Sequence, residues 1–252
     1  MELDLSSKTA IVTGGARDIG RAVSIELARS GAAVVVNYLA SGDRAKSVVE
    51  EITKAGGRAI AVKADVTKYA DVARLVAESQ KAFGPRIDIL VNNAGGLIAR
   101  KTIAEMDEAF FHQVMDLNFT STFLVTKAVA PAMTNGGAIV NLASLAAHDG
   151  GGPGSAIYAS SKGAVLTFTR AMAKELASKK IRVNCVAPGM IDTTFHDTFT
   201  KPEARKATAA RTTAGREGTS EDVAKAVVFL ASDAAAYISG ESIEINGGLY
   251  FV

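Results

Sequence analysis

Tyr158 and Lys162 stand four residues apart in a helical pattern that runs over Ser155–Lys179. That spacing puts both on one helix face, one turn apart. A phenol with a reference pKa of about 10 is a poor base at neutral pH, but a nearby ammonium favours the phenolate. Lowering it by about three units takes roughly 4 kcal/mol of differential stabilisation. Taken alone, the pair reads as an exposed helix pair; Ser144, fourteen residues upstream of Tyr158, supplies a third group that can hydrogen-bond the same reacting oxygen.

A second constellation suits phosphate. The apolar run Thr-Ala-Ile-Val leads into Thr13-Gly14-Gly15-Ala16-Arg17-Asp18-Ile19-Gly20 and then a helical pattern. Glycines there let the main chain approach a pyrophosphate, and the helix start presents free N–H groups at the positive end of its dipole. The plainer reading is a tight turn without a ligand. Dinucleotide folds that prefer NAD carry an acidic residue at the end of the second strand, facing the adenosine ribose. Here Asn37 and Tyr38 stand at that place, with Arg17 in the turn and Arg44 just beyond. No carboxylate repels a 2′-phosphate, so NADP(H) is preferred and NAD(H) is possible. Otherwise the two arginines are solvated charges. Asp65, next to Val66, could meet an adenine amino group or cap the following helix.

Strands and helices must alternate to position these groups. Lys8–Thr13, Ala33–Asn37, Arg58–Lys63, Ile87–Asn92, Ala138–Leu142, Arg182–Ala187 and Ser242–Ile245 are short β-branched runs. Amphipathic patterns such as Ile19–Ser30, Ala45–Ala55 and Asp71–Phe83 separate them. Strands apolar along their whole length, alternating with helices, predict an α/β fold with a doubly wound parallel seven-stranded sheet and helices on both faces. No linker or repeat divides residues 1–252, which predicts one domain. Residues 190–218 are polar and poorly periodic, an irregular insertion of the kind that serves as a substrate lid.

Composition narrows the function. The chain has 252 residues, 48% of them hydrophobic, and 28 basic against 26 acidic side chains. Near-neutral charge offers no field for nucleic acid or anionic lipid, and no apolar run approaches the 18 or so residues a membrane span needs. The single cysteine, Cys185, cannot form an internal disulfide, and the acidic start lacks the features of a signal peptide. A cytoplasmic protein without nucleic-acid or membrane partners, acting on a small molecule, is expected.

In order along the chain stand Thr13-Gly14 to Gly20, Asn92-Asn93-Ala94-Gly95, Ser144, Tyr158-x-x-x-Lys162 and Pro188-Gly189. Over its whole length the sequence resembles the short-chain dehydrogenase/reductase family, in the branch of the 3-oxoacyl-acyl carrier protein reductases and many sugar or polyol dehydrogenases. The resemblance implies a Rossmann-type domain and interconversion of a carbonyl and an alcohol by hydride transfer, with Tyr158 as acid/base and Ser144 holding the oxygen. It implies that Lys162 also binds the nicotinamide ribose, and that Asn118 supports Lys162 through a water and a local helix distortion. Asn118 otherwise is an ordinary polar residue in a helix. The cofactor contacts implied are Gly14, Gly15, Ala16, Arg17, Ile19, Gly20, Asn37, Tyr38, Asp65, Val66, Asn92, Ala94, Gly95, Tyr158, Lys162, Pro188, Gly189, Ile191 and Thr193. No metal is implied. A homotetramer is, paired through helices around Glu108–Met133 and Ser155–Lys179 and through Ser220–Leu230 with the last strand.

Three departures bear on substrate and cofactor. Asp18 stands where the family usually has Gly or Ala, and is expected to point away from the phosphates and cap the helix. Pro131 replaces a familiar arginine, and Lys127, Lys179 and Lys180 keep only part of a basic docking patch for an acidic carrier protein. The segment His148-Asp149-Gly150-Gly151-Gly152-Pro153-Gly154 forms a small-residue pocket wall, in which His148, Gly150 and Gly189 could meet a hydroxylated substrate; His148 could equally be solvated. The lid carries Lys201, Arg205, Lys206, Arg211 and Arg216, and Arg100 and Lys101 lie near the same mouth. A small polar or carboxylated, sugar-derived carbonyl substrate is expected. The alternatives are the carrier-protein reductase, an NAD-dependent sugar or polyol dehydrogenase, and a non-catalytic dinucleotide sensor. The last should have lost Tyr158 or Lys162, and both are present.

Overall fold

A computed structural model describes residues 3–252. The apolar runs form β1 (Thr9–Val12), β2 (Ala33–Tyr38), β3 (Arg58–Lys63), β4 (Ile89–Asn92), β5 (Gly137–Leu142), β6 (Ile181–Pro188) and β7 (Ser242–Ile245). All pair in parallel, in the order β3-β2-β1-β4-β5-β6-β7. Between them lie α1 (Asp18–Arg29), α2 (Gly42–Lys54), α3 (Tyr69–Phe83), α4 (Glu108–Met115), α5 (Ser121–Val129), α6 (Ala146–Asp149) and α7 (Ala156–Glu175). Beyond β6 come α8 (Thr194–Phe199), α9 (Pro202–Arg211) and α10 (Ser220–Ala231).

The strand period of two builds two cores. Ala10 and Val12 of β1 pack with α1, α2 and α10 on one face, while Ile11 between them joins residues of α3 and α5 on the other. Every β1 residue is therefore buried, which explains a strand apolar throughout. The order in which strands are added reverses between β1 and β4, so a crevice opens at their carboxyl ends, the usual ligand position in such sheets.

The helix across 108–133 runs on through a π turn at Asp116–Thr120 between α4 and α5. One expectation needs correction. The insertion at 190–218 is largely helical in α8 and α9. Pro202 starts α9 at a position where its missing N–H costs nothing. Neither helix buries a residue completely, so no apolar stripe announced them. Arg205 of α9 binds Asp192, Asp197 and Glu217 and ties the lid together instead.

Candidate active site

Ser144 follows β5, and the first turns of α7 carry Tyr158 and Lys162. Burial holds the Tyr158 phenol above its ordinary value and outweighs the opposite pull of the nearby Ser144 hydroxyl. The lowering expected from Lys162 is not found in the protein itself. Lys162 is only 4% exposed, its Nζ donates to the Leu142 carbonyl at 2.7 Å, and burial lowers its own pKa to about 8. Its Nζ lies 5.9 Å from the Tyr158 ring centre. The tyrosine is thus a protonated acid at neutral pH, beside an ammonium close to losing its proton.

Asn118 lies inside the π turn and is wholly buried. Its carboxamide donates to the Gly96 and Val114 carbonyls and accepts from the Gly96 N–H, each at 2.9 Å. The distortion expected at Asn118 is therefore present. A Cβ on Gly95 would come within 2.7 Å of Asn118 Oδ1 and 3.1 Å of Lys162 Nζ. The Asn92–Gly95 loop thus passes directly over Lys162.

The turn between β1 and α1 fits a dinucleotide phosphate. A Cβ on Gly20 would overlap the Gly14 carbonyl, so only glycine lets α1 start this close to the strand. The turn is locked from below. Asn93 Nδ2 donates to the Thr13 and Gly14 carbonyls, and Thr13 Oγ1 accepts from the N–H groups of Asn93 and Ala94. Asn37 accepts from Gly14 N–H and donates to the Val62 and Ala64 carbonyls. Asn92 donates to Thr126 and Asn141. These two buried side chains are spent on the framework, a role that spacing did not reveal, and Asn93 is a lock that the sequence reading did not single out. Asp65 accepts from Thr67 N–H and Oγ1 within its own turn, while Lys68 takes the N-cap position of α3. Beside the glycine turn a cleft is lined by Ala16, Arg17, Asp18, Arg21, Arg44 and Ser47. Arg21 was also missed, although it stands one helical turn from Arg17. Arg21 is paired with Glu51, and Arg17 lies 3.9 Å from Asp18. Arg44 has no carboxylate partner among the described residues.

Asp18 does not cap α1. Its backbone is left-handed, with φ of 49°, and its carboxylate accepts from Thr194 N–H at 3.2 Å and Thr194 Oγ1 at 2.6 Å. Arg17 donates to the same hydroxyl. The carboxylate is turned onto the start of α8, where the free N–H groups of that helix favour it. Ile191 and Thr193, both buried, lie between Gly189 and this clasp.

On α8, Phe195 and Phe199 meet edge to face with ring centres 5.3 Å apart, and the Phe195 ring lies 5.9 Å from that of Tyr158. These rings stand four apart on α8, a signal present in the sequence. His148 is turned away from the mouth: its Nε2 lies 3.1 Å from Glu244 of β7, and its ring stacks on Tyr250. Gly150 is exposed and ends α6 in a left-handed conformation. Gly189 backs onto Asn246. The glycine loop is exposed, and Arg100 crosses it, donating to the carbonyls of Pro153 and Phe199.

A glycine cradle, a half-buried tyrosine with a buried lysine, and a hydroxyl converge at the switch point of a parallel sheet. A family model described as enoyl-(acyl carrier protein) reductase matches residues 14–250. An uncharacterized oxidoreductase from Methylorubrum extorquens is 41% identical over 97% of this chain and 98% of its own. The chain belongs to the short-chain dehydrogenase/reductase family. A 3-oxoacyl-[acyl-carrier-protein] reductase of Staphylococcus epidermidis is 39% identical over 97% and 99% of the two chains. Among solved structures, a 7α-hydroxysteroid dehydrogenase complexed with NADH and 7-oxo glycochenodeoxycholic acid aligns with a TM-score of 0.93 at 37% identity, covering 98% and 96%. An NADH-dependent reductase responsible for alginate metabolism aligns with a TM-score of 0.89 at 36% identity, covering 98% and 99%. As a member of this dehydrogenase/reductase family the protein is an oxidoreductase of CH–OH and C=O groups that uses a nicotinamide cofactor. No helix of the described residues is long and apolar enough to cross a membrane.

Proposed function

We propose that this short-chain dehydrogenase/reductase is a cytoplasmic, homotetrameric NADP(H)-dependent enzyme that interconverts a carbonyl and an alcohol on a small, carboxylated, sugar-derived compound. The observation that carries the reaction is the trio of half-buried Ser144 and Tyr158 with buried Lys162 beside the glycine turn. The nicotinamide cofactor supplies or accepts the hydride. Tyr158, protonated at neutral pH, donates its proton to the carbonyl oxygen in reduction, while the Ser144 hydroxyl holds that oxygen by a second hydrogen bond. Lys162 holds the nicotinamide ribose and, as an ammonium, steadies the phenolate left behind. Asn118 fixes the loop that passes over Lys162. Preference for NADP(H) is supported by the Arg17–Arg44 cleft beside a second strand that ends in Asn37 rather than an acid. The sugar-acid substrate is supported by the neighbour active in alginate metabolism, since alginate is a polymer of carboxylated sugars.

Tyr158→Phe tests the chemistry. Turnover with NADPH should fall by roughly 10²–10⁴-fold, while the melting temperature and the NADPH affinity stay near wild type. A Phe variant with wild-type turnover would sink the mechanism. Assaying sugar-derived keto acids against acetoacetyl thioesters, each with NADPH and NADH, separates this reading from the carrier-protein reductase and from an NAD-dependent polyol dehydrogenase.

A further inference from the structure

We propose that Arg100 anchors the substrate carboxylate at the mouth of the active site, and so sets specificity for the reaction; the inference rests on the function proposed above. Arg100 stands between the two walls of the mouth. Its Nη1 donates to the Pro153 carbonyl at 2.8 Å, in the loop that leads into α7 five residues before Tyr158. Its Nε donates to the Phe199 carbonyl at 3.1 Å, at the end of the lid helix whose Phe195 faces Tyr158.

Both partners are neutral carbonyls, so the positive charge of Arg100 is held in place and left uncompensated. Four other cations near the mouth are engaged. Arg205 faces three carboxylates, Arg216 is paired with Asp222, Lys162 is buried on the Leu142 carbonyl, and Lys101 lies 4.5 Å over the Phe110 ring. A guanidinium carries five N–H donors, and two are used here. Those that remain, on Nη2 and the second position of Nη1, form the end-on fork that fits a carboxylate. Gly152 keeps that fork bare: a Cβ there would lie 3.3 Å from Nη1 and 3.8 Å from Nη2. His148, the other polar candidate for substrate, lies against Glu244 and Tyr250 instead. The ligand this arrangement takes is a carbonyl compound with a carboxylate several bonds from the reacting carbon.

The test measures kcat/KM for a hydroxylated keto acid and for its uncharged methyl ester, with NADPH, in wild type, Arg100→Gln, Arg100→Lys and Gly152→Leu. Wild type should prefer the acid, and high salt should narrow that preference. Arg100→Gln should reduce the acid-to-ester ratio by roughly 10–100-fold, the span of one charge-assisted hydrogen-bonded pair, mainly through KM. Arg100→Lys should restore part of the ratio, and Gly152→Leu, which covers the fork without removing it, should also lower it. Loosening of the lid would reduce both substrates together and leave the ratio alone. A ratio unchanged in Arg100→Gln, or a wild type indifferent to the acid, overturns the proposal while the reductase reading stands. A wild type that reduces neither compound, nor any other carbonyl with either cofactor, overturns that reading itself.

Discussion

Lys162 is a charge kept where burial disfavours it, and that gives it a signature in stability. Its pKa in the folded protein is about 8, against 10.5 for the ordinary side chain. Between those values the unfolded chain binds a proton that the folded chain does not, so stability rises with pH over that window. Below pH 8 both states are protonated and the penalty is fully present; above 10.5 it is gone. Burial also raises Tyr158, which lowers stability above pH 10, but Lys162→Met keeps that residue and cancels its effect in a comparison. Chemical denaturation of both proteins from pH 7.5 to 10.5 should show wild type gaining on Lys162→Met by up to roughly 3 kcal/mol. A difference that stays flat across the window would show that the lysine pays no burial penalty. At this scale Tyr158, Lys162 and Ser144 were singled out by the order of motifs along the chain, because the Tyr-Lys pair taken alone reads as an exposed helix pair. Asn37, Asn92 and Asn93 were not distinguished from one another, since an amide that binds a ligand and one that locks two strands look alike until its partners are known.

Two elements change how these residues work. The π turn at Asp116–Thr120 adds a residue to the helix and lets Asn118 reach the loop above Lys162. The expectation of a distortion came from family likeness, because one Asn in an amphipathic pattern does not reveal a bulge. The second element is α8, a six-residue helix whose first N–H is bound by Asp18 from the far end of the chain. A helix this short is marginal on its own, so its order depends on contacts such as this one. Thr194→Val keeps the N–H bond and removes the hydroxyl; Asp18→Asn keeps an acceptor and removes the charge. Each should raise hydrogen exchange across 194–199, and the double variant should lose less than the sum of the two, since both cut one clasp. Cofactor affinity should change little in Asp18→Gly, because the carboxylate is turned to Thr194. A strong rise in that affinity would show instead that Asp18 repels the phosphates.

In the whole molecule the helices that cover one face of the sheet leave aromatic side chains exposed. Phe111 of α4 and Phe123 of α5 are each 41% exposed, and Phe123 meets Phe168 of α7 edge to face. These are the helices through which the implied tetramer would pair. In light scattering, Phe111→Asp with Phe123→Asp should yield a smaller species than wild type with its helical spectrum intact; an unchanged mass would place the interface elsewhere. The strand runs, their parallel pairing and the order of the catalytic motifs follow from local pattern, because periodicity and residue type act over a few positions and the βα alternation admits few topologies. Tertiary structure alone decided where each charge goes. Arg205 could serve a substrate or a lid, Asp18 a helix or a clasp, His148 a pocket or Glu244, and the sequence carries no sign of which. Those choices depend on partners brought together across up to 176 positions, and a buried or half-buried charge takes whichever counter-charge or carbonyl the finished fold sets beside it.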